Sequence, residues 1–343
     1  IEGALKSKYL DLAWIQDSEG EQATENQPAE TGKKDYLIPD SPIALPKLDF
    51  ADSDVEITVE DIKLPNQTLH DIFLHSRVTG GDLIVEPFRV RGQGGAFLRG
   101  NLAVEQDPES DLTSVALSLE GSGVQLGIGT VEGQDPDTIR KSDIKIKLHG
   151  AGATYHDLAA SLDGRIEVVQ GAGLTASAGL SLIFGNFIGE ALNLINPFAK
   201  TEKFTVNECA VVIVNIESGV VTASPVVSQT DKMTVVAEGE VDLHTEKILF
   251  TFNTKLRKGI GISASMVVNP FVSVTGTLLS PTIGLDPAAV AVKGTVAVAT
   301  VGISLLVKSL ADRYLSSKDP CGDALKKSRE QLESAGKKGK SNQ

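Results

Sequence analysis

Residues 232–256 read KMTVVAEGEVDLHTEKILFTFNTKL, and the fold follows from how they alternate. Val235, Ala237, Gly239, Val241 and Leu243 fall on one parity, against Thr234, Glu238, Glu240 and Asp242 on the other. Beyond the polar break His244-Thr245-Glu246-Lys247 the alternation resumes with Ile248, Phe250, Phe252 and Leu256, opposed by Thr251, Asn253 and Lys255. Period-two alternation on both sides of a short break predicts an antiparallel hairpin with one apolar face. Arms of about twelve residues at ~3.3 Å each span ~40 Å, against ~17–20 Å for an ordinary strand. Such strands need something apolar to lie on.

The same texture extends upstream. Val55, Ile57 and Val59 alternate with Asp54, Glu56, Thr58 and Glu60, and Ile72 and Leu74 with His75 and Arg77. Gly80-Gly81-Asp82 predicts a turn, after which Phe88 and Val90 interleave with Arg89 and Arg91. Leu98, Leu102 and Val104 oppose Arg99, Asn101 and Glu105; Val115, Leu117 and Leu119 oppose Ser114, Ser118 and Glu120. Ile144, Ile146 and Leu148 oppose Asp143, Lys145 and Lys147. Closely spaced strands with turn chemistry between them describe a β-meander. Near Cys209 both parities are apolar, with Ala210, Val212, Val214 and Ile216 against Val211 and Ile213, so this strand is expected to be central or covered.

These textures divide the chain. Residues 1–16 read as the end of a preceding β region, and 17–35 as a disordered acidic linker too polar to offset its ordering entropy. Residues 36–170 form the meander. The alternation lapses from Gly173, where Leu182, Phe184, Phe187, Ile188, Leu192 and Ile195 fit helical spacing. A helical insertion is therefore predicted over 171–203, stopped at Pro197. The sheet resumes over 204–287. Residues 288–325 predict a C-terminal capping helix, whose uncharged run between Lys293 and Lys308 is shorter than the ~20 residues a bilayer span takes. A membrane-touching tip is the alternative there. Residues 326–343 read as a disordered basic tail.

Chemistry is sparse. The formal net charge of −13 lacks the basic footprint that nucleic acid requires. The five histidines, His70, His75, His149, His156 and His244, show no metal-ligand spacing. Gly150-Ala151-Gly152 and Gly171-Ala172-Gly173 lack the third glycine of a dinucleotide loop. Gly339-Lys340-Ser341 resembles the end of a phosphate loop, but Ser334 stands where that loop needs glycine. No Gly-x-Ser-x-Gly occurs. No catalytic residue, metal or cofactor is expected. Cys209 and Cys321 would be unrelated thiols in a reducing compartment and could pair in an oxidising one.

That leaves the sheet. Roughly fourteen strands at ~4.8 Å would extend ~65 Å. Two halves packed face to face would make a sandwich, hence a scaffold or binding protein. A sheet curled around an unfilled interior would make an open groove. Aromatics are only 5% of the chain, so its lining would be aliphatic, suited to acyl chains buried at ~0.8 kcal/mol per methylene. Parity assigns Leu98, Leu102, Val104, Val115, Leu117, Leu119, Ile144, Ile146, Leu148, Val241, Leu243, Ile248, Phe250 and Phe252 to one shared interior.

Short pieces of the chain then fall in a telling order. They are Gly3-Ala4-Leu5-Lys6-Ser7-Lys8-Tyr9-Leu10-Asp11-Leu12, Ile38-Pro39-Asp40-Ser41-Pro42-Ile43, Gly81-Asp82-Leu83-Ile84-Val85-Glu86-Pro87-Phe88 and Gly94-Gly95-Ala96-Phe97-Leu98-Arg99-Gly100. Leu158-Ala159-Ala160-Ser161-Leu162-Asp163-Gly164, Gly239-Glu240-Val241-Asp242-Leu243, Val274-Thr275-Gly276-Thr277 and Asp319-Pro320-Cys321 follow. In this order the chain resembles the C-terminal region of the AsmA family, within the AsmA/TamB/YhdP group of bridge-like lipid transport proteins.

The resemblance implies a mostly β protein: a long curved antiparallel sheet forming an open groove, capped by two helical segments. It implies a periplasmic location, an inner-membrane anchor in an N-terminal segment outside this chain, and a part in phospholipid traffic and outer-membrane assembly. Phospholipid and the membranes at the groove ends are the partners it implies. It carries no catalytic residues. A periplasmic location in turn implies a Cys209–Cys321 disulfide, clamping the terminal helix as a cap at one end of the groove.

Overall fold

The computed structural model describes residues 1–12, 36–43, 52–64, 68–107, 110–125, 138, 140–176, 204–231, 233–257, 272–284 and 313–340. These residues are mostly β, forming one open, mixed sheet of fifteen strands. The strands are β1 (Glu2–Asp11), β2 (Ser53–Lys63), β3 (Thr68–Thr79), β4 (Asp82–Arg91), β5 (Phe97–Asp107), β6 (Leu112–Val124), β7 (Ser142–Gly152) and β8 (Asp163–Gln170). Then come β9 (Gly173–Ala176), β10 (Phe204–Glu217), β11 (Val220–Thr230), β12 (Met233–Asp242), β13 (Lys247–Leu256), β14 (Val272–Thr277) and β15 (Pro281–Gly284). Two helices, α1 (Tyr155–Ala160) and α2 (Pro320–Lys340), accompany the sheet, with a helical turn at 313–316 ahead of α2.

Strands adjacent in sequence are adjacent in space, except that β8 pairs with β10 and β9 adds to β10 alone. Local alternation and short turns suffice to build such a ladder. The organising hairpin is β12–β13, each arm 10 residues long rather than twelve. Its first arm stops early because the Asp242 carboxylate accepts hydrogen bonds from the His244 N–H at 2.9 Å and the Thr245 hydroxyl at 2.8 Å. That local competition turns the chain.

Three expectations need correction. The sheet is not wholly antiparallel: β1 pairs parallel to β2, Leu5 facing Ile57. A parallel pair needs a long crossover connection, and among the described strands β1 and β2 are the one parallel pair. Gly173–Ala176, placed in a helical insertion, is strand β9 paired with β10. The tail from Lys326 is not structureless, since α2 runs to Lys340. The linker 17–35, the remainder of the insertion (177–203) and residues 288–312 of the capping helix lie outside the described residues.

From β2 onward the described ladders are antiparallel, so directly opposed residues share a face. Over β10–β13 both faces are buried. On one, Val211, Ile213, Val227 and Val236 lie beneath Tyr314, Leu315, Cys321 and Ala324. On the other, Ala223, Val226, Ala237, Ile248, Phe252, Val272 and Val274 form a second core. This is the doubly apolar texture read around Cys209. Each such aliphatic or Phe side chain contributes about 1.5–3 kcal/mol when fully buried.

Candidate functional site

The register assembles the parity residues into rows that cross the sheet. One row runs Leu98, Gly121, Ile144, Val168, Val212, Val226, Ala237, Phe252, Val272. A second runs Gly100, Leu119, Ile146, Ile166, Val214, Ala223, Gly239, Phe250, Val274. A third runs Leu102, Leu117, Leu148, Gly164, Ile216, Val221, Val241, Ile248. Val104, Val115 and Gly150 begin a fourth. No side chain in these rows is ionisable. Of the residues assigned to a shared interior only Leu243 is outside the rows: it sits in the β12–β13 turn, its N–H donating to the Gly219 carbonyl at 3.0 Å.

Sequence reasoning left out residues that belong to the same face. Val85 faces Leu102, Val90 faces Leu98, and Ile57, Leu74 and Phe88 continue the second row toward β1. Their alternation was visible, but which parity joins which face depends on the β3–β4 and β4–β5 bulges, a non-local property.

The apolar face is not uniform in burial. Over β2–β8 most of it is half-buried, Leu98, Leu102, Leu117, Leu119, Ile146 and Leu148 among them, with Ile144 buried. Over β11–β14 burial is deeper: Phe252 is 7% exposed, Val274 1% and Val272 0%, while Val221, Val241 and Phe250 stay half-buried. The opposite face of β3–β8 is charged, with Arg89, Arg99, Glu120, Lys145 and Glu167 in one cross-strand row. Arg99 stacks over Phe97 and donates to Glu120 at 2.6 Å, holding that carboxyl below its usual range. Hydrogen bonds from His75 and Arg77 do the same for Asp54. This face keeps water on one side of the sheet.

One end of the apolar face carries a cap that the sequence reading did not foresee. Short turns join β10 to β11, β12 to β13 and β14 to β15 at the same end as the β7–β8 connection, which forms α1. The Thr154 hydroxyl accepts the Asp157 N–H at 3.0 Å and the Asp157 carboxylate accepts the Thr154 N–H at 3.3 Å, a capping box. Side chains at Gly150 and Gly152 would point from β7 into α1: a Cβ at Gly150 would lie 3.1 Å from the Leu158 carbonyl oxygen, and one at Gly152 would overlap the backbone of Asp157 and Leu158. Here lies the reason for the glycine pair that resembled half a dinucleotide loop. Residues 36–43 then cross the same end as a strap. Ile43 donates to Ala153 and Tyr155 to Ser41, Tyr36 lies 4.3 Å from the His156 ring, and Leu37 and Ile38 donate to the Glu246 carboxylate at 2.6 Å each.

Gly152→Val is expected to lift α1 off β7 and cost about 1–3 kcal/mol, the range for forced overpacking. Urea denaturation checks it; an unchanged midpoint would mean that α1 does not bear on β7.

Cys209 and Cys321 are joined by a disulfide with Cα atoms 6.4 Å apart. Cys321 lies in the first turn of α2, and Cys209 shares the parity of Val211 and Ile213. The helix therefore covers the face opposite the apolar rows and does not cap their end. Proline cannot lie deep in a helix but opens one readily, and Asp319, whose carboxylate accepts the Gly322 N–H at 2.9 Å, starts α2.

The histidines do not converge: His70 pairs with Asp61 at 2.6 Å and His75 with Asp54 at 2.7 Å. Among the described residues no group of three or more His, Cys, Asp or Glu is placed to hold a metal ion, and no helix is long and apolar enough to cross a membrane. No family model, curated protein or solved structure matches the chain.

Proposed function

We propose that the apolar face over β2–β8 binds phospholipid acyl chains in an open groove and conducts them between the inner and outer membranes, as the resemblance to the AsmA family implies. The observation that carries this reading is the unbroken set of uncharged rows, half-buried across an open sheet whose other face is charged. The six strand-to-strand steps from β2 to β8, at ~4.8 Å each, give a path of ~29 Å, close to the ~30 Å hydrocarbon thickness of a bilayer. Acyl chains need no polar anchor in such a place, because burial is non-directional. The protein acts without catalysis. A periplasmic location accords with a disulfide between the two cysteines of the sequence.

A closed scaffold is the second reading, and the buried apolar core over β11–β14 favours it for that part of the sheet. The two readings differ at β6. A photo-crosslinker at Leu117 should capture phospholipid and one at Ser118, on the charged face, should not. Equal capture at both positions would sink the conduit. Leu117→Asp is expected to abolish capture and transport while costing under about 2 kcal/mol of stability, because a half-exposed site lets the carboxylate keep much of its water. A thermal melt beside the capture assay separates the two effects.

A further inference from the structure

We propose that α2 is a latch with two fasteners: the Cys209–Cys321 disulfide ties its first turn to β10, and buried Glu238 on β12 decides whether it stays on the sheet once that bond is reduced. Under α2 and the turn before it lie Val211, Ile213, Val227 and Val236, each 0% exposed or nearly so, which release would present to solvent. Among them sits a charge-bearing group that the apolar contact does not need. Glu238 is 8% exposed, and its Oε1 has no hydrogen-bond partner. The Tyr314 hydroxyl, likewise buried, has none either.

The groups that act on this carboxyl are few. Lys327 of α2 draws it toward the ionised state, Tyr314 faces it from the preceding turn, and Arg313 and Asp323 bear on Tyr314. Across the ladder its neighbour is uncharged Thr251. Burial outweighs Lys327 and pushes the Glu238 carboxyl up to about 7, while Lys327 itself is held below the usual lysine range by burial. An ionised carboxylate without donors is costly to bury, whereas the neutral acid is tolerated.

The sign follows from linkage. With α2 docked the carboxyl holds its proton to about pH 7; released into water it returns to the ordinary glutamate range near 4.5. Docking is thus strongest below that ordinary value and weakens as pH rises through about 7. While the disulfide stands, the helix cannot leave. Reduction by a dithiol supplies two electrons and two protons: the S–S bond breaks, two thiols form, and the dithiol is oxidised to its own disulfide. What then holds α2 is its apolar contact, the hydrogen bond from Arg165 to the Ser328 hydroxyl and the state of the Glu238 carboxyl, and of these the carboxyl answers to pH in this range.

The test is amide hydrogen exchange on the full chain, with and without dithiothreitol, expressed as protection corrected for intrinsic exchange. Without reductant, α2 should be equally protected at acid and mildly alkaline pH. With reductant, its protection should fall at least about tenfold from roughly pH 5.5 to pH 8, as a shift of more than one pKa unit requires, while β10–β12 keep theirs. Glu238→Gln should remove the pH dependence, and Lys327→Gln should move its midpoint upward. Protection that is independent of pH in the reduced protein overturns the proposal, as does a pH dependence that survives in Glu238→Gln. If Glu238→Gln fails to fold, Lys327→Gln decides, and an unmoved midpoint refutes the latch.

Discussion

Replacing Cys209 and Cys321 together by serine is expected to lower the unfolding free energy by up to about 5 kcal/mol, the chain-entropy value for a closed loop of this length. The bond spans 112 residues, and the described part of that loop includes β11 to β15. Cross-linking such a loop removes a large set of unfolded conformations and leaves the native contacts alone. Residual structure in the unfolded chain lowers the figure, so a measured loss of about 3–5 kcal/mol fits. Chemical denaturation of the oxidised protein and the double serine variant measures it. The denaturant slope should rise in the variant, because a chain without the cross-link exposes more surface. A loss under about 1 kcal/mol would show that the cross-link takes little freedom from the unfolded chain.

Glu246→Ala is expected to cost about 2–4 kcal/mol, the next largest loss. Glu246 is 0% exposed and sits in the β12–β13 turn at φ +52°. Its two carboxylate oxygens take the Leu37 and Ile38 N–H groups, and its own carbonyl accepts the Leu278 N–H at 2.8 Å. Hydrogen bonds to charged groups contribute about 1.5–3 kcal/mol each, and two backbone donors in a part-buried site would be stranded together. Glu246→Gln keeps one acceptor and should recover about half the loss. Urea denaturation gives the energies, and hydrogen exchange at Leu37 and Ile38 shows whether the strap has come away. Slow exchange at both amides in Glu246→Ala would mean that other contacts hold the strap.

The carboxylate illustrates what a sequence conceals. Glu246 reads as one polar residue in a polar turn, and nothing within ten residues announces that it will meet Leu37. By contrast Leu117, Ile146 and Phe250 were legible, because a strand's parity is a local property and the short turns of the meander carry it from one arm to the next. The parallel placement of β1 was not, since no turn of fixed geometry links it to β2. The terminal helix was half legible. Asp319-Pro320 is a helix start in plain view, but the apolar stripe through Cys321, Ala324 and Leu325 is thin and the lysines around it suggest a solvated tail. What holds α2 is tertiary: the disulfide and the side chains of Val211 and Val227 beneath it. The α1 start was also present, as Thr154 and Asp157, in a segment too short for periodicity to detect.

The cap of α1 and the strap has a consequence for the passage proposed above. In the proposed groove, a guest over β7–β8 has no exit along the strands at the end where α1 and the strap lie, and the route left at that end runs sideways, from one strand to the next. Distance travelled is then counted in strands, at ~4.8 Å apiece, and each added hairpin lengthens the route by ~10 Å without changing its cross-section. A sheet of this kind is extensible by duplication: its reach is set by how many hairpins are written into the chain, as a ladder's reach is set by its rungs.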